Sequence, residues 1–216
     1  MDNGTEKGRA ADAEVGAGGR MDAGRVWEAY DEGGQAIETV SRAVADWNAS
    51  TPCAAWRCVV LAGHVLCIAR YYHRLLDAAL TGHPLSGLPR GEVLVVMNDR
   101  DLADLPETSG QERIRDFVRT ATAYGDRLRH HDWETSIGTW PGIGRLTIAE
   151  HTLLAVGEWH IHGWDLARSA GGDHQQSDPE VVLAGQRILP GSLPDGEAWV
   201  AALQAAGRFP LWKVRG

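Results

Sequence analysis

With 216 residues and a formal net charge of −8, the chain has the size of one domain with a full hydrophobic core, and two domains would be cramped. Its 21 Lys and Arg against 29 Asp and Glu argue against a nucleic-acid partner, because phosphate contacts need clustered basic side chains. No apolar run is long enough to span a bilayer, and the N-terminus lacks the basic-then-apolar order of a secretory signal. We therefore expect a cytoplasmic protein with no membrane partner.

The first part of the chain predicts a tail and one helix. Residues 1–20 are rich in glycine, alanine and charge without an apolar period, which predicts a disordered tail ahead of one domain over 21–216. Apolar residues then recur at helical spacing over about 22–48. Gly33 and Gly34 could bend or interrupt this first helix.

The middle of the chain predicts two more helices separated by a long connection. The second helix covers about 55–79 and ends in turn chemistry at Gly82. Residues 91–104 break the helical pattern with a short β-like apolar run, so we expect a long connection there that could hold one strand. The third helix covers about 110–130, and a loop containing glycine and tryptophan follows over 133–144.

The fourth helix has the clearest boundaries. It begins at Thr147, an N-cap residue with Glu150 three positions later to complete a capping box, and it ends near Ser169. Residues 178–206 should add one or two short helical segments broken by prolines. A short link between the first two helices and a long one before the third predict an all-α four-helix bundle with one long crossover.

The fourth helix also carries the main functional signal. Glu158 and His162 are four residues apart, so they lie on the same helical face and can both reach one divalent metal ion. His64, in an apolar run of the second helix, is the best candidate for a third ligand. Two nitrogens and one carboxylate oxygen at about 2.0–2.2 Å suit zinc, and the open position would indicate a catalytic site. From spacing alone, a helical Glu/His pair is more often a surface interaction, so both interpretations stay open.

Three neighbouring residues have weaker claims. His151 lies two turns before Glu158 on roughly the same face and could act as a proton carrier or support a ligand, although a buried structural histidine is favoured. Asp165 could orient a ligand or cap a neighbouring helix, and the structural role is favoured. His160 points about 200° away from Glu158 and should not bind the same ion.

Cysteines and tryptophans near these residues are expected to pack rather than react. The cysteines show no C-x-x-C spacing, so a disulfide framework is not expected and a reducing compartment fits. Cys53 is interpreted as a small apolar residue, not a nucleophile. Three tryptophans are interpreted as packing residues instead of a substrate platform: Trp56, Trp159 and Trp164.

Two segments that hold the candidate ligands also match signatures of a known family. Ser50–Trp56, followed by Leu61 and His64, resembles the T-P-C-x-x-W…L-x-x-H signature of the mycothiol-dependent maleylpyruvate isomerase N-terminal family, a branch of the DinB-like metalloenzymes. Glu158–Ala167 resembles its second signature, E-x-x-x-H-G-W-D-L-A. The segment Ala206–Trp212 is similar to the T-G-R-x-P ending of the same domain.

The resemblance implies a DinB-like four-helix bundle over 21–216 with one divalent metal, zinc or nickel, held by His64, Glu158 and His162. It also implies that mycothiol, a low-molecular-weight thiol, is activated as a thiolate and added to an electrophilic small molecule. Our first expectation is therefore a metal-dependent thiol S-transferase. The resemblance implies that the isomerase itself has a second, C-terminal domain that completes the active-site cleft, and we expect this chain not to include that domain.

Three alternatives stay open beside the transferase. The first is a mycothiol-dependent isomerase. The second is a thiol-independent metalloenzyme that catalyses a cyclisation, elimination or hydrolysis. The third is a non-catalytic bundle that binds a small molecule. A homodimer is also left open, because the sequence does not determine oligomeric state.

Overall fold

The structure, a computed structural model, describes residues 21–53, 56–82, 99–140, 144–189, 191 and 193–208. The predicted tail over 1–20 and residues 91–98 of the predicted connection lie outside the described residues. The β-like run on which a strand was expected lies among those residues, and the rest of the connection contains a short helical segment at 99–103.

The described part of the chain is mostly helical, so the predicted all-α class is confirmed. The elements are α1 (Ala23–Ser41), α2 (Cys58–Thr81), α3 (Gly110–Leu128), β1 (Ser136–Trp140), β2 (Gly144–Thr147), α4 (Ile148–Ser169), α5 (Pro179–Ile188) and α6 (Ala198–Ala205). α1 and α2 each pack against both α3 and α4. The first two helices therefore lie diagonally across a four-helix bundle, α5 packs beside α4, and α6 packs against α5. Among the described helices, none combines the length and apolar character that a membrane crossing requires.

The first helix is shorter than the sequence predicts. α1 ends at Ser41, and the chain turns instead of continuing as helix. Asp46 accepts a hydrogen bond from the N–H of Asn48 at 2.8 Å, a local contact that competes with helix formation. Trp47 packs against the start of α3, where only a glycine, Gly110, leaves room for its ring. The packing of Trp47 therefore decides where α1 ends, although the apolar period continues beyond Ser41.

The paired glycines do not interrupt α1. Gly33 faces α4, where a Cβ atom at its position would lie 2.8 Å from the Cβ of Trp159. A Cβ on Gly34 would meet nothing within 4 Å. Gly33 thus permits the close approach of α1 to the helix that carries the candidate ligands.

The loop predicted over 133–144 is wrong in part, because β1 and β2 pair there as an antiparallel hairpin. Trp140 pairs with Gly144, and the register is irregular nearer the hairpin base. Ile137 and Leu146, one from each strand, are buried, and β1 packs against α2. These two apolar residues are too few to form the alternating pattern that predicts strands. Cross-strand pairing stabilises the hairpin in addition to their burial.

The boundaries of α4 are confirmed. The Thr147 side chain accepts from the N–H of Glu150, and the Glu150 carboxylate accepts from the N–H of Thr147, which completes the predicted capping box. α2 ends at Gly82 in the left-handed region, with φ of 69°. Local contacts determine the start of α4 and the end of α2. Because the start of α4 is fixed, the residues of α4 that face the core are fixed as well.

Candidate metal centre

A tight loop before α2 places one wall of the site. Ser50 and Arg57 form an isolated antiparallel bridge, and the Thr51 hydroxyl donates to the carbonyl oxygens of Cys53 at 3.0 Å and Trp56 at 2.9 Å. The Trp56 ring consequently lies over the first ligand candidate, with its centroid 4.2 Å from that of His64. This tryptophan packs, as the sequence predicts, but it packs on the candidate site.

His64 enters the site from the buried face of α2. Its helical neighbours Leu61 and Val65 are fully buried in the core, whereas the His64 ring is turned toward α4. The His64 and His162 ring centroids are 4.9 Å apart and nearly perpendicular. Two helices that are far apart in sequence thus each contribute an imidazole to one small volume.

His64, Glu158 and His162 converge closely enough to hold one ion. Nε2 of His162 lies 3.3 Å from Oε2 of Glu158, and Nε2 of His64 lies 3.6 Å from the same oxygen. One ligand atom from each residue lies within 4.8 Å of the others. Ligand atoms about 2.1 Å from a tetrahedral ion are about 3.4 Å apart, so the donor set and its spacing fit a zinc-type ion.

The exposure of the three side chains shows where the site meets solvent. The side chains of His64 and His162 are only 10% and 6% exposed, whereas that of Glu158 is 30% exposed. Among the three candidate ligands, Glu158 is therefore the one most exposed to solvent, while the imidazoles are held by the bundle.

The electrostatics of the cluster favour a bound cation. Burial acts to raise the pKa of the Glu158 carboxyl, but the neighbouring His162 and His64 outweigh it and hold this pKa well below its usual range. Burial likewise acts to lower the pKa of His162, and the carboxylates of Asp165 and Glu158 outweigh it and raise that pKa. The cluster thus holds an ionised carboxylate that requires a cation, which is either an imidazolium or a metal.

Asp165 orients His162. Its Oδ2 lies 3.0 Å from Nδ1 of His162, and the carboxylate is fully buried. An Nδ1–H that donates to this oxygen leaves Nε2 facing Glu158, and when the ring is neutral the Nε2 lone pair is available to a metal. Arg208 donates to the same oxygen, with Nη2 2.8 Å from Oδ2, and this nitrogen also lies 3.3 Å from Nδ1 of His162. The sequence had suggested a ligand-orienting role for Asp165 as the less favoured interpretation, and it had assigned no role to Arg208.

His160 lies away from the cluster, as its angular position predicts. Its Nε2–H donates to the carbonyl oxygen of Ala29 at 2.8 Å, and its Nδ1 accepts from Nε2 of His174 at 3.0 Å. This histidine joins α4 to α1 and to the segment after α4.

His151 lies in the core next to Tyr124 rather than at the surface of the site. Its Nδ1 shares a 2.8 Å hydrogen bond with the Tyr124 hydroxyl, and the ring packs edge-on against Tyr72. Burial lowers the pKa of the His151 imidazole to about 3. The ring is therefore neutral at physiological pH, and the proton-carrier role proposed from the sequence stays a prediction.

The burial of the His151 imidazole makes the free energy of unfolding depend on pH. Below about pH 6.5 the unfolded chain binds a proton at His151 that the folded chain does not bind. The free energy of unfolding therefore decreases as the pH is lowered, by about 1.4 kcal/mol per pH unit from this group. We expect His151→Gln to show a shallower decline between about pH 6 and pH 4 in urea unfolding. At alkaline pH the two curves should run parallel, and equal slopes in acid would contradict the prediction.

Fold and cluster together define a class: an all-α bundle with a His, Glu and His triplet between two of its helices. The family model described as the mycothiol maleylpyruvate isomerase N-terminal domain matches residues 26–167, more than half of the 216-residue chain. The chain therefore belongs to the mycothiol maleylpyruvate isomerase N-terminal domain family, as the sequence signatures suggest.

A solved structure supports the fold. The crystal structure of the mycothiol-dependent maleylpyruvate isomerase is similar with a TM-score of 0.58 and 15% sequence identity, over 77% of this chain and 68% of that chain. At this identity the likeness concerns the fold. No curated protein matches the chain.

Proposed function

We propose that the protein is a metal-dependent enzyme that uses a low-molecular-weight thiol of the mycothiol type, with His64, Glu158 and His162 as the metal ligands. The observation that carries the proposal is the approach of both imidazole Nε2 atoms to one Glu158 oxygen, at 3.3 Å and 3.6 Å. A divalent metal of the zinc type bound there would stabilise a thiolate at neutral pH, and the thiolate is the reactive form of a thiol.

The residues around the ligands have separate tasks in this proposal. Asp165 keeps the His162 Nδ1 protonated and the Nε2 available. Trp56 covers the His64 ring and limits water on that side. Glu158, the most exposed of the three, borders the side from which thiol and electrophile enter.

The comparisons favour isomerisation over net thiol transfer. Both the family description and the similar crystal structure carry the name of a maleylpyruvate isomerase, which supports the isomerase alternative more than the S-transferase expected first. The two reactions share one step, in which the thiolate adds to an electrophilic double bond and leaves a single bond. In isomerisation that bond rotates and the thiol is then expelled, so the thiol is recovered and the double bond changes from cis to trans.

The test is product analysis by NMR with a cis unsaturated keto acid such as maleylpyruvate, with and without mycothiol. We expect conversion of the cis to the trans acid that requires only catalytic amounts of thiol, and none with Glu158→Gln. Glu150→Gln, a carboxylate of the same helix that caps its N-terminus, serves as the matched control and should retain turnover.

Two results would redirect the proposal. A stable thiol adduct that consumes one thiol per substrate would establish the S-transferase. Turnover that is unchanged without thiol would refute the thiol mechanism and favour a thiol-independent metalloenzyme of the same fold.

A further inference from the structure

A turn after the last described helix brings a cation to the back of the candidate metal centre. Gly207 adopts a left-handed backbone with φ of 72°, its N–H donates to the carbonyl of Gln204, and the N–H of Arg208 donates to that of Leu203. This pattern is a Schellman motif, which ends a helix with a defined geometry and favours glycine at the left-handed position. The motif fixes the point from which the Arg208 side chain leaves the backbone.

Each of the three nitrogens of the Arg208 guanidinium then has a hydrogen-bond partner. Nη2 and Nε lie 2.8 Å and 3.2 Å from Oδ2 of Asp165, and Nη1 donates to the carbonyl of Ala206 at 2.6 Å. The Arg208 side chain is only 13% exposed and the Asp165 side chain is fully buried. The same Oδ2 also accepts from Nδ1 of His162, so one oxygen joins the arginine to the imidazole.

We propose that Arg208 is a positioning residue of the metal centre, which acts through Asp165 on His162; this inference rests on the metal site of the proposed function. A buried carboxylate that loses its cationic partner carries a large desolvation cost, so it turns away toward water. This movement removes the acceptor that fixes the tautomer and the ring orientation of His162. Partners of this kind behind a metal-binding histidine typically change metal affinity by 10–100-fold.

The role requires the fork of the guanidinium as well as its charge. Two nitrogens of Arg208 contact Asp165 while a third is occupied by the Ala206 carbonyl. A lysine in this place would bring a point charge on a flexible stem and could not reproduce this planar arrangement. We therefore expect Arg208→Lys to restore only part of what Arg208→Met loses.

The experiment is a double-mutant cycle on zinc affinity. Zinc is titrated into the metal-free full chain against a chromophoric chelator for the wild type, Arg208→Met, Asp165→Asn and the double variant. Each single change should weaken binding by about 10–100-fold, and the double variant should bind no more weakly than Asp165→Asn. Such strong coupling is expected only if Arg208 acts through Asp165.

A matched control separates positioning from general stability. Arg25 forms an ion pair of the same 2.8 Å length with Asp178, more exposed to solvent than the Arg208 pair, that ties α1 to the start of α5 away from the site. Arg25→Met should leave zinc affinity unchanged, and urea unfolding of each metal-free variant reports the purely structural cost. Zinc affinity that is unchanged in Arg208→Met, or weakened equally with and without Asp165, would overturn the inference.

A second readout does not depend on the metal. Long-range ¹H–¹⁵N NMR of the metal-free protein at alkaline pH reports which nitrogen of His162 carries the proton. We expect a single Nδ1–H tautomer in the wild type and a mixture in Arg208→Met. If the wild type binds no zinc but shows this change, the proposed function fails and the positioning role stands; an unchanged tautomer overturns the positioning role itself.

Discussion

His64→Ala and His162→Ala are expected to purify without metal, whereas the wild type carries about one zinc-type ion per chain. Each substitution leaves two of three ligands. If the roughly 10–16 kcal/mol of a four-ligand zinc site is shared equally, each ligand contributes about 3 kcal/mol, which is a hundredfold or more in affinity. Elemental analysis of the purified proteins, followed by zinc titration, measures the effect.

The matched control for these variants is His160→Gln. This histidine lies on α4 two residues from both Glu158 and His162, but its nitrogens contact Ala29 and His174 instead of the cluster. The control should keep its metal even if it unfolds at lower urea concentration. A wild type that holds no metal after reconstitution, or a His160→Gln variant that loses it while folded, would contradict the ligand assignment.

Gly33→Ala should destabilise the fold by about 1–3 kcal/mol, and Gly34→Ala should stabilise it by about 0.5–1 kcal/mol. A methyl group at position 33 would lie 2.8 Å from the Cβ of Trp159 and 3.0 Å from the His160 ring, so α1 and α4 must move apart. At position 34 the methyl group meets nothing within 4 Å, and only the gain in helix propensity acts. Urea unfolding of the two metal-free variants gives the difference directly.

The same pair of variants also reports on the site. Trp159 follows Glu158 directly, so a displacement of α4 by Gly33→Ala moves a candidate ligand away from His64 on α2. Zinc affinity should therefore decrease in Gly33→Ala and stay unchanged in Gly34→Ala. Equal stabilities for the two variants would show that α1 and α4 are not in close contact at Gly33.

The elements that the sequence predicts well are those whose signals are local. The capping box of Thr147 and Glu150 involves residues three apart, and the Gly82 stop of α2 is a single left-handed residue. The Glu158 and His162 pair is also local, because four residues bring side chains together on any helix. Two of the three candidate ligands could thus be paired without knowledge of the tertiary structure.

The elements that the sequence predicts poorly depend on distant partners. The end of α1 depends on where Trp47 packs, and that place is the first turn of α3. The hairpin of β1 and β2 depends on pairing between strands and on burial against α2. Neither signal is present in the residues whose observed structure differs from the predicted one.

By itself, the sequence determined the helical class, the capped α4 and the Glu158 and His162 pair, because 3.6-residue periodicity and capping act over one or two turns. Its signatures also pointed to His64 and to the family. Only the tertiary structure decided that Trp56 covers His64 and that Arg208, 43 residues after Asp165 in the chain, reaches its carboxylate. These contacts join segments whose distance is set by helix packing, and no local pattern encodes that distance.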